Sequence, residues 1–246
     1  AAAPLTDPND GRLFGERMVF RLPGERQMVG YMAQPRRGGE RLPKVMVIHE
    51  NRGLNEHIKD VTRRLALSGF IAFAPDFLTP LGETPRSGDG TRSADDIARE
   101  LIATLDRGAT IKDAVSTLEW FDGYHMGRGL PGAVGFCWGG GMVNELAVAA
   151  GRKLRAGVAY YGPAPADLAQ VGRVKARMLL HYAGLDERIN AGAAAYHEAL
   201  QKAGVTFAAH TYPGVNHAFN NDTSEARYNS EAADSAWRRT LSWLQT

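Results

Sequence analysis

Short apolar runs and amphipathic stretches alternate along this chain. Residues 17–20 and 27–33 read as two strands around Pro23-Gly24, which predicts an opening hairpin. Residues 44–49 (Lys-Val-Met-Val-Ile-His) form a short apolar run that predicts a buried strand. A helix should open at Asn55 or Glu56 and run to about Ser68, with Ile58, Val61, Leu65 and Ala66 on one face and Gly69 at its end. Residues 71–74 predict the next strand. Residues 77–91 are rich in Pro, Gly and charge and predict a long loop, of the kind that often carries function. Helices are expected over 94–105 and 110–121. Downstream, strands are expected at 157–161, 178–182 and 205–212, and helices over 191–203 and 230–244. In the last helix, Ala233, Trp237, Leu241 and Leu244 are in register. Strands alternating with helices imply an α/β fold: one domain over 1–246 with a mostly parallel central sheet and helices on both faces. Residues 1–13 precede this pattern and read as an extended N-terminal arm.

The most informative stretch is Gly132-Ala133-Val134-Gly135-Phe136-Cys137-Trp138-Gly139-Gly140-Gly141, which runs straight into the apolar segment 142–150. Strand, sharp turn and helix is its natural reading. Gly-x-Cys-x-Gly has the spacing of a nucleophile elbow, with cysteine in place of serine. Glycines suit a tight turn with close backbone approach. The helix N-terminus would then point at the thiol and favour thiolate. A cysteine in an apolar run is ordinarily an inert core residue. The surrounding glycines argue for the other reading.

Ligands of parallel sheets bind outside the carboxyl ends of the strands. The polar residues just after predicted strands are Glu50, Asn51 and Arg52, then Asp76, Cys137, Asp186 and His217. Cys137, Asp186 and His217 fall in the chain order nucleophile, acid, histidine of the α/β-hydrolase triad. In that arrangement histidine takes the thiol proton and the carboxylate fixes the histidine tautomer. Acyl transfer through a thioester would follow. The oxyanion would be held by the backbone N–H of Trp138 and by a second donor from the turn after strand 44–49, at Asn51. Taken alone, His217 would be a turn histidine and Asp186 a turn or cap aspartate. Their order along the chain gives them the catalytic reading. His181, at a strand end, reads as a core histidine. His57, His125, His197 and His210 read as surface or helix residues.

Composition narrows the function classes. The 246 residues are 44% hydrophobic and 23% charged, and the net charge is +2, so no strong electrostatic case exists for nucleic acid or membrane. Arg36-Arg37 and Arg152-Lys153-Arg155 read as solvated charges. A single cysteine rules out an internal disulfide and a cysteine-based zinc site. No apolar run reaches the roughly 18 residues of a membrane span. His49-Glu50 starts a zinc-protease pattern, but Gly53 stands where its second histidine would be. The phosphate-loop and dinucleotide glycine patterns also fail. Neither metal nor organic cofactor is expected, and the chain is expected to be a monomer or weak dimer. The opening Ala1-Ala2-Ala3 resembles an export-leader cleavage site but equally suits trimmed or added sequence, so exported and cytoplasmic locations both stay open.

The segment Gly135-Phe136-Cys137-Trp138-Gly139-Gly140 resembles the dienelactone hydrolase (carboxymethylenebutenolidase) family. So do His49-Glu50-Asn51-Arg52-Gly53-Leu54-Asn55, Ala74-Pro75-Asp76, Gly184-Leu185-Asp186 and Gly214-Val215-Asn216-His217-Ala218-Phe219. The resemblance spans about residue 17 to the closing helix. It implies an α/β-hydrolase fold, Cys137 as nucleophile, His217 as base and Asp186 as third member. It also implies that Glu50 takes part in switching the resting thiol to thiolate; like-charge cost would keep a thiol beside that carboxylate neutral. Family members acting on chlorocatechol-derived lactones hold the substrate carboxylate with two arginines. Here those places carry Leu78-Thr79-Pro80 and Asn220-Asn221-Asp222. A small ester or lactone with a different acyl group is therefore expected, with Arg52, Phe219 and Asn221 as candidate substrate contacts and Arg86 or Arg92 as other sources of charge. The competing readings are a pocket protein on the same fold that binds a small ligand without turnover, and a peptidase of the related serine family. Cysteine at the elbow and the lack of a second large domain argue against the peptidase.

Overall fold

The computed structural model describes residues 5–246. They gather into two compact units, one ending at Gly129 and the other running from Leu130 to Thr246.

In the first unit, β1 (Leu13–Arg21) and β2 (Gln27–Pro35) form the expected hairpin, both longer than the sequence suggested. Its strands are in register from Leu13 opposite Pro35 to Arg21 opposite Gln27. β3 (Pro43–Ile48) and β4 (Ile71–Pro75) are parallel, and β4 runs antiparallel to β2, so the strand order is β1-β2-β4-β3. Helices α1 (Glu56–Leu67), α2 (Ala94–Ala103) and α3 (Arg107–Asp122) are N-capped by Asn55, Ser93 and Asp106, each accepting from a backbone N–H three residues on. Period-two alternation sends neighbouring strand residues to opposite faces. Ala33 meets Ala66 of α1 on one face. Phe73, beside Ala72 on β4, sets its ring at a tilt to Trp120 and Phe121 of α3, at 5.1 and 6.0 Å.

The apolar face expected for α1 is buried, but so are polar residues the pattern did not mark. His57, Asp60 and Arg63 are each at most 5% exposed. His57 lies on a helix, as expected, but inside the protein. Asp60 accepts from the backbone N–H groups of Leu5 and Thr6 and from the Thr6 hydroxyl, and Arg63 donates to that hydroxyl at 2.8 Å. Residues 5 and 6 are thereby tied to α1. Residues 1–4 of the expected N-terminal arm lie outside the described residues. In the 77–91 stretch a short 3-10 turn, Thr79–Leu81, interrupts irregular chain, and the Asp76 carboxylate accepts from the Leu78 and Thr84 N–H groups.

In the second unit, β5 (Arg128–Phe136), β6 (Ala156–Tyr160), β7 (Arg177–Ala183) and β8 (Phe207–Tyr212) run parallel in that order. Around them lie α4 (Trp138–Ala150), α5 (Glu187–Asn190), α6 (Ala193–Lys202) and α7 (Ser230–Gln245). Gly157 of β6 faces Val143 of α4, whereas Tyr160 faces Thr240 of α7, so these helices cover opposite faces. The helix expected over 191–203 is α6, and the short α5, which the pattern did not mark, precedes it. In α7 the buried stripe is Ala233, Ala236, Thr240 and Leu244, while Trp237 and Leu241 are half-buried.

A buried polar chain joins α7 to three strands. Tyr160 Oη lies 2.7 Å from Thr240 Oγ1, which lies 3.0 Å from His181 Nε2. His181 Nδ1 lies 3.0 Å from Tyr212 Oη, to which Arg239 donates at 3.0 Å. His181 is thus the satisfied core histidine the sequence suggested. Among the described residues no helix is long and apolar enough to cross a membrane.

Candidate active site

β5 carries a fully buried run into Cys137, and α4 begins one residue later. Cys137 has φ 59° and ψ −118°, a conformation L-residues rarely adopt. Such a backbone costs about 1–3 kcal/mol and persists only when its surroundings enforce it. The enforcing contacts are visible. Cys137 N–H donates to the Tyr160 carbonyl at 3.0 Å, and the Cys137 carbonyl accepts from Gly140 and Gly141 N–H at 3.0 and 3.1 Å. The glycines are there because backbone approaches backbone. A Cβ on Gly135 would lie 2.0 Å from the Gly139 carbonyl oxygen, and one on Gly162 would lie 2.2 Å from the Gly140 carbonyl carbon. This is the strand–turn–helix geometry of a nucleophile elbow. The first turn of α4 has no side-chain cap and no acidic residue, so its N–H groups favour negative charge beside Cys137.

The loops after β7 and β8 are laced together. Gly184 N–H donates to the Tyr212 carbonyl at 2.8 Å and Leu185 N–H to the Val215 carbonyl at 3.0 Å. This brings Asp186 against His217. Asp186 occupies the N-cap place of α5, yet its side chain makes no cap bond. Its Oδ2 lies 2.5 Å from His217 Nδ1 instead. With Nδ1 engaged by a carboxylate, Nε2 is the nitrogen left to exchange protons. The carboxylate is nearly buried and the ring only partly so, at 8% and 19% exposure.

The imidazole is also held from the side. Its ring lies 4.9 Å from that of Tyr161, which meets Phe219 edge-on at 5.3 Å. Tyr161 and Ala218 share the positive φ of Cys137, at 38° and 70°. The strand expected at 157–161 would end on Tyr161. The strand stops at Tyr160, and the only local hint was the Gly162-Pro163 that follows. Phe219 is fully buried among Tyr160, Tyr161 and Tyr212. Asn221 is also buried, and its Oδ1 accepts from Thr223 N–H at 2.9 Å.

Glu50, Asn51 and Arg52 follow β3 in the first unit. Glu50 is buried, and its carbonyl accepts from Gly53 N–H at 3.2 Å and lies 2.8 Å from His49 Nδ1. Phe77 N–H donates to the other His49 nitrogen at 3.1 Å, so His49 is a spacer for this turn. Asn51 and Arg52 are half-buried, and Arg52 Nε lies 4.0 Å from Asp95. Arg92, a candidate source of charge, is engaged by Asp89 at 2.9 Å and by Glu100; Arg86 is exposed. Among the described residues no group of three or more His, Cys, Asp or Glu could hold a metal ion.

Parallel strands covered by helices, with an elbow after β5 and an acid–histidine pair after β7 and β8, define the α/β-hydrolase fold. Solved structures agree. Brefeldin A esterase, at 12% identity, superposes with a TM-score of 0.74 over 99% of this chain and 80% of its own, a likeness of fold alone. The chain belongs to the dienelactone hydrolase family, whose model matches residues 28–246, and is a hydrolase of that family. A relative described as "putative carboxymethylenebutenolidase" from Saccharolobus solfataricus is 33% identical, over 82% of this chain and 88% of its own. One of the same description from Methylorubrum extorquens is 30% identical, over 98% and 83%. A crystal structure described in like terms as a dienelactone hydrolase, from Klebsiella pneumoniae, is 28% identical. Its TM-score is 0.82, over 94% of this chain and 98% of its own.

Proposed function

We propose that this protein hydrolyses small carboxylic esters or lactones through a Cys137–His217–Asp186 triad. The observation that carries the reading is the Asp186–His217 bond: the carboxylate leaves a helix start uncapped in order to hold an imidazole. His217 Nε2 takes the thiol proton, and the Cys137 sulfur attacks the substrate carbonyl carbon. The C–O bond to the leaving oxygen then breaks, and Nε2 returns its proton to that oxygen, leaving a thioester. Water attacks the thioester with Nε2 as base, the carboxylic acid leaves and the thiol is restored. Trp138 N–H and a backbone donor at Asn51 steady the oxyanion in both steps.

The family resemblance extends the proposal to Glu50 as the residue that keeps the resting thiol neutral, and to Arg52, Phe219 and Asn221 as substrate neighbours. Leu78-Thr79-Pro80 and Asn220-Asn221-Asp222 supply no cation, which favours an acyl group without a carboxylate. The test is turnover of p-nitrophenyl acetate and of a panel of lactones by the protein and by Cys137→Ala. Loss of roughly 10³-fold or more in kcat is expected with the fold intact. Unchanged turnover removes the triad reading. If the unaltered protein turns over nothing but is thermally stabilised by the same compounds, it is a binding protein on this fold.

A further inference from the structure

Away from the elbow, β7, β8 and α7 form an open groove of about 410 Å³. Arg177 and Leu179 of β7, His210 of β8, and Arg238, Arg239 and Trp243 of α7 line it, with no acidic residue among the lining. This concentration is local, because the chain as a whole carries only +2. Arginines elsewhere have found carboxylates, as Arg12 has Asp10, Arg64 has Asp60 and Arg92 has Asp89. Among the described residues none of Arg177, Arg238 and Arg239 pairs with one. Arg177 lies over the Trp243 ring at 4.4 Å and donates to the hydroxyl of Thr246, which also lines the groove, and Arg239 spends one N–H on Tyr212. Arg238 is exposed on the same helix.

We propose that this groove is a binding site for a small organic oxyanion, whose phosphate or carboxylate is taken between Arg238, Arg239 and His210 and whose apolar body lies along Leu179 and Trp243. Guanidinium groups bind such oxyanions by charge-assisted hydrogen bonds, and a cluster of them without carboxylate partners is a repulsive arrangement that an anion relieves. The repulsion is felt inside the protein. Burial and the Arg239 charge hold the His210 imidazole below its usual pKa, and burial, His210 and Arg239 do the same to His181. Arg238 and Arg239 face His210 from α7, and the His181 ring faces it from β7 at 6.3 Å. A bound anion favours protonated His210, so binding should tighten as pH falls from about 8 to about 6.

The experiment is a titration of the full chain with inorganic phosphate, phenyl phosphate and benzoate, followed by calorimetry and by the His210 ring signals in NMR. Expected are a saturable shift of His210, tighter binding of phenyl phosphate than of inorganic phosphate, and a loss of roughly 10-fold or more in Arg238→Glu. Arg107→Glu, the same charge change on an exposed residue of α3, should keep the affinity. Phenyl phosphate against benzoate tells phosphate from carboxylate. Absence of a saturable His210 shift, equal affinity in Arg238→Glu, or a shift confined to His217 overturns the proposal. Binding is read without turnover, so the outcome does not depend on the hydrolytic reading.

Discussion

Cys137 sits where its side chain has a use and its backbone has a cost. At φ 59° a glycine would rest without strain, while alanine would keep it. Cys137→Gly should therefore be more stable than Cys137→Ala by about 1 kcal/mol, while neither hydrolyses ester. Urea unfolding of the two variants measures this, and equal midpoints would mean that the elbow is not strained. Asp186 makes a second residue-scale prediction. Asp186→Asn keeps the size of the group but loses the preference for a proton on His217 Nδ1. The expected result is a fall of about 10⁴-fold in kcat with little change in KM. A loss that appears in KM alone would place Asp186 in substrate binding instead.

At the scale of elements, the elbow depends on α4 lying against the chain that follows β6. Gly162→Ala puts a methyl group 2.2 Å from the Gly140 backbone, and neither side has a side chain that can move away. Destabilisation of about 1–3 kcal/mol is expected, with a proportionally larger loss of turnover as Cys137 shifts. Gly172 has nothing within 4 Å of an added Cβ and a φ outside the positive range. Gly172→Ala should stay within about 0.5 kcal/mol, as measured by thermal melts of both. The elements themselves were mostly legible, because their signals are local. Asn55 caps α1, Pro23-Gly24 turns the hairpin, and apolar runs mark β3 to β7. What local pattern could not show was determined at long range. Arg63 is buried because Thr6, fifty-seven positions earlier, accepts its N–H. The short α5 after Asp186 was not marked either, because Asp186 at its start is turned to His217 rather than spent as a cap.

For the molecule as a whole, acid stability follows chiefly from two fully buried histidines, one in each unit, with the partly buried His197 and His210 adding to it. His49 and His181 are both fully buried, and burial is the main cause that lowers the pKa of each. Both are neutral in the fold and free to protonate once unfolded, so the unfolded state binds more protons below the ordinary value of about 6.5. Stability should be flat from about pH 8 to 7, then fall between about pH 6.5 and 5. The slope approaches 1.4 kcal/mol per pH unit for each histidine. Chemical denaturation across that range tests it, and a level profile would contradict it. The pairing of Asp186 with His217 was legible because chain order and strand ends are written in the sequence. Tyr161 beneath His217 was not, since nothing in its neighbours announces a ring contact across fifty-six residues.

The row of hydroxyls between α7 and the strands has a further consequence. A guanidinium only donates, so the Tyr212 oxygen accepts from Arg239, and the arrangement that uses every group gives the Tyr212 hydrogen to His181 Nδ1. That leaves the His181 hydrogen on Nε2, aimed at Thr240. One cation at the rim thus favours one tautomer of a ring that solvent never reaches, and gives the interior a preferred polarity from Arg239 inward.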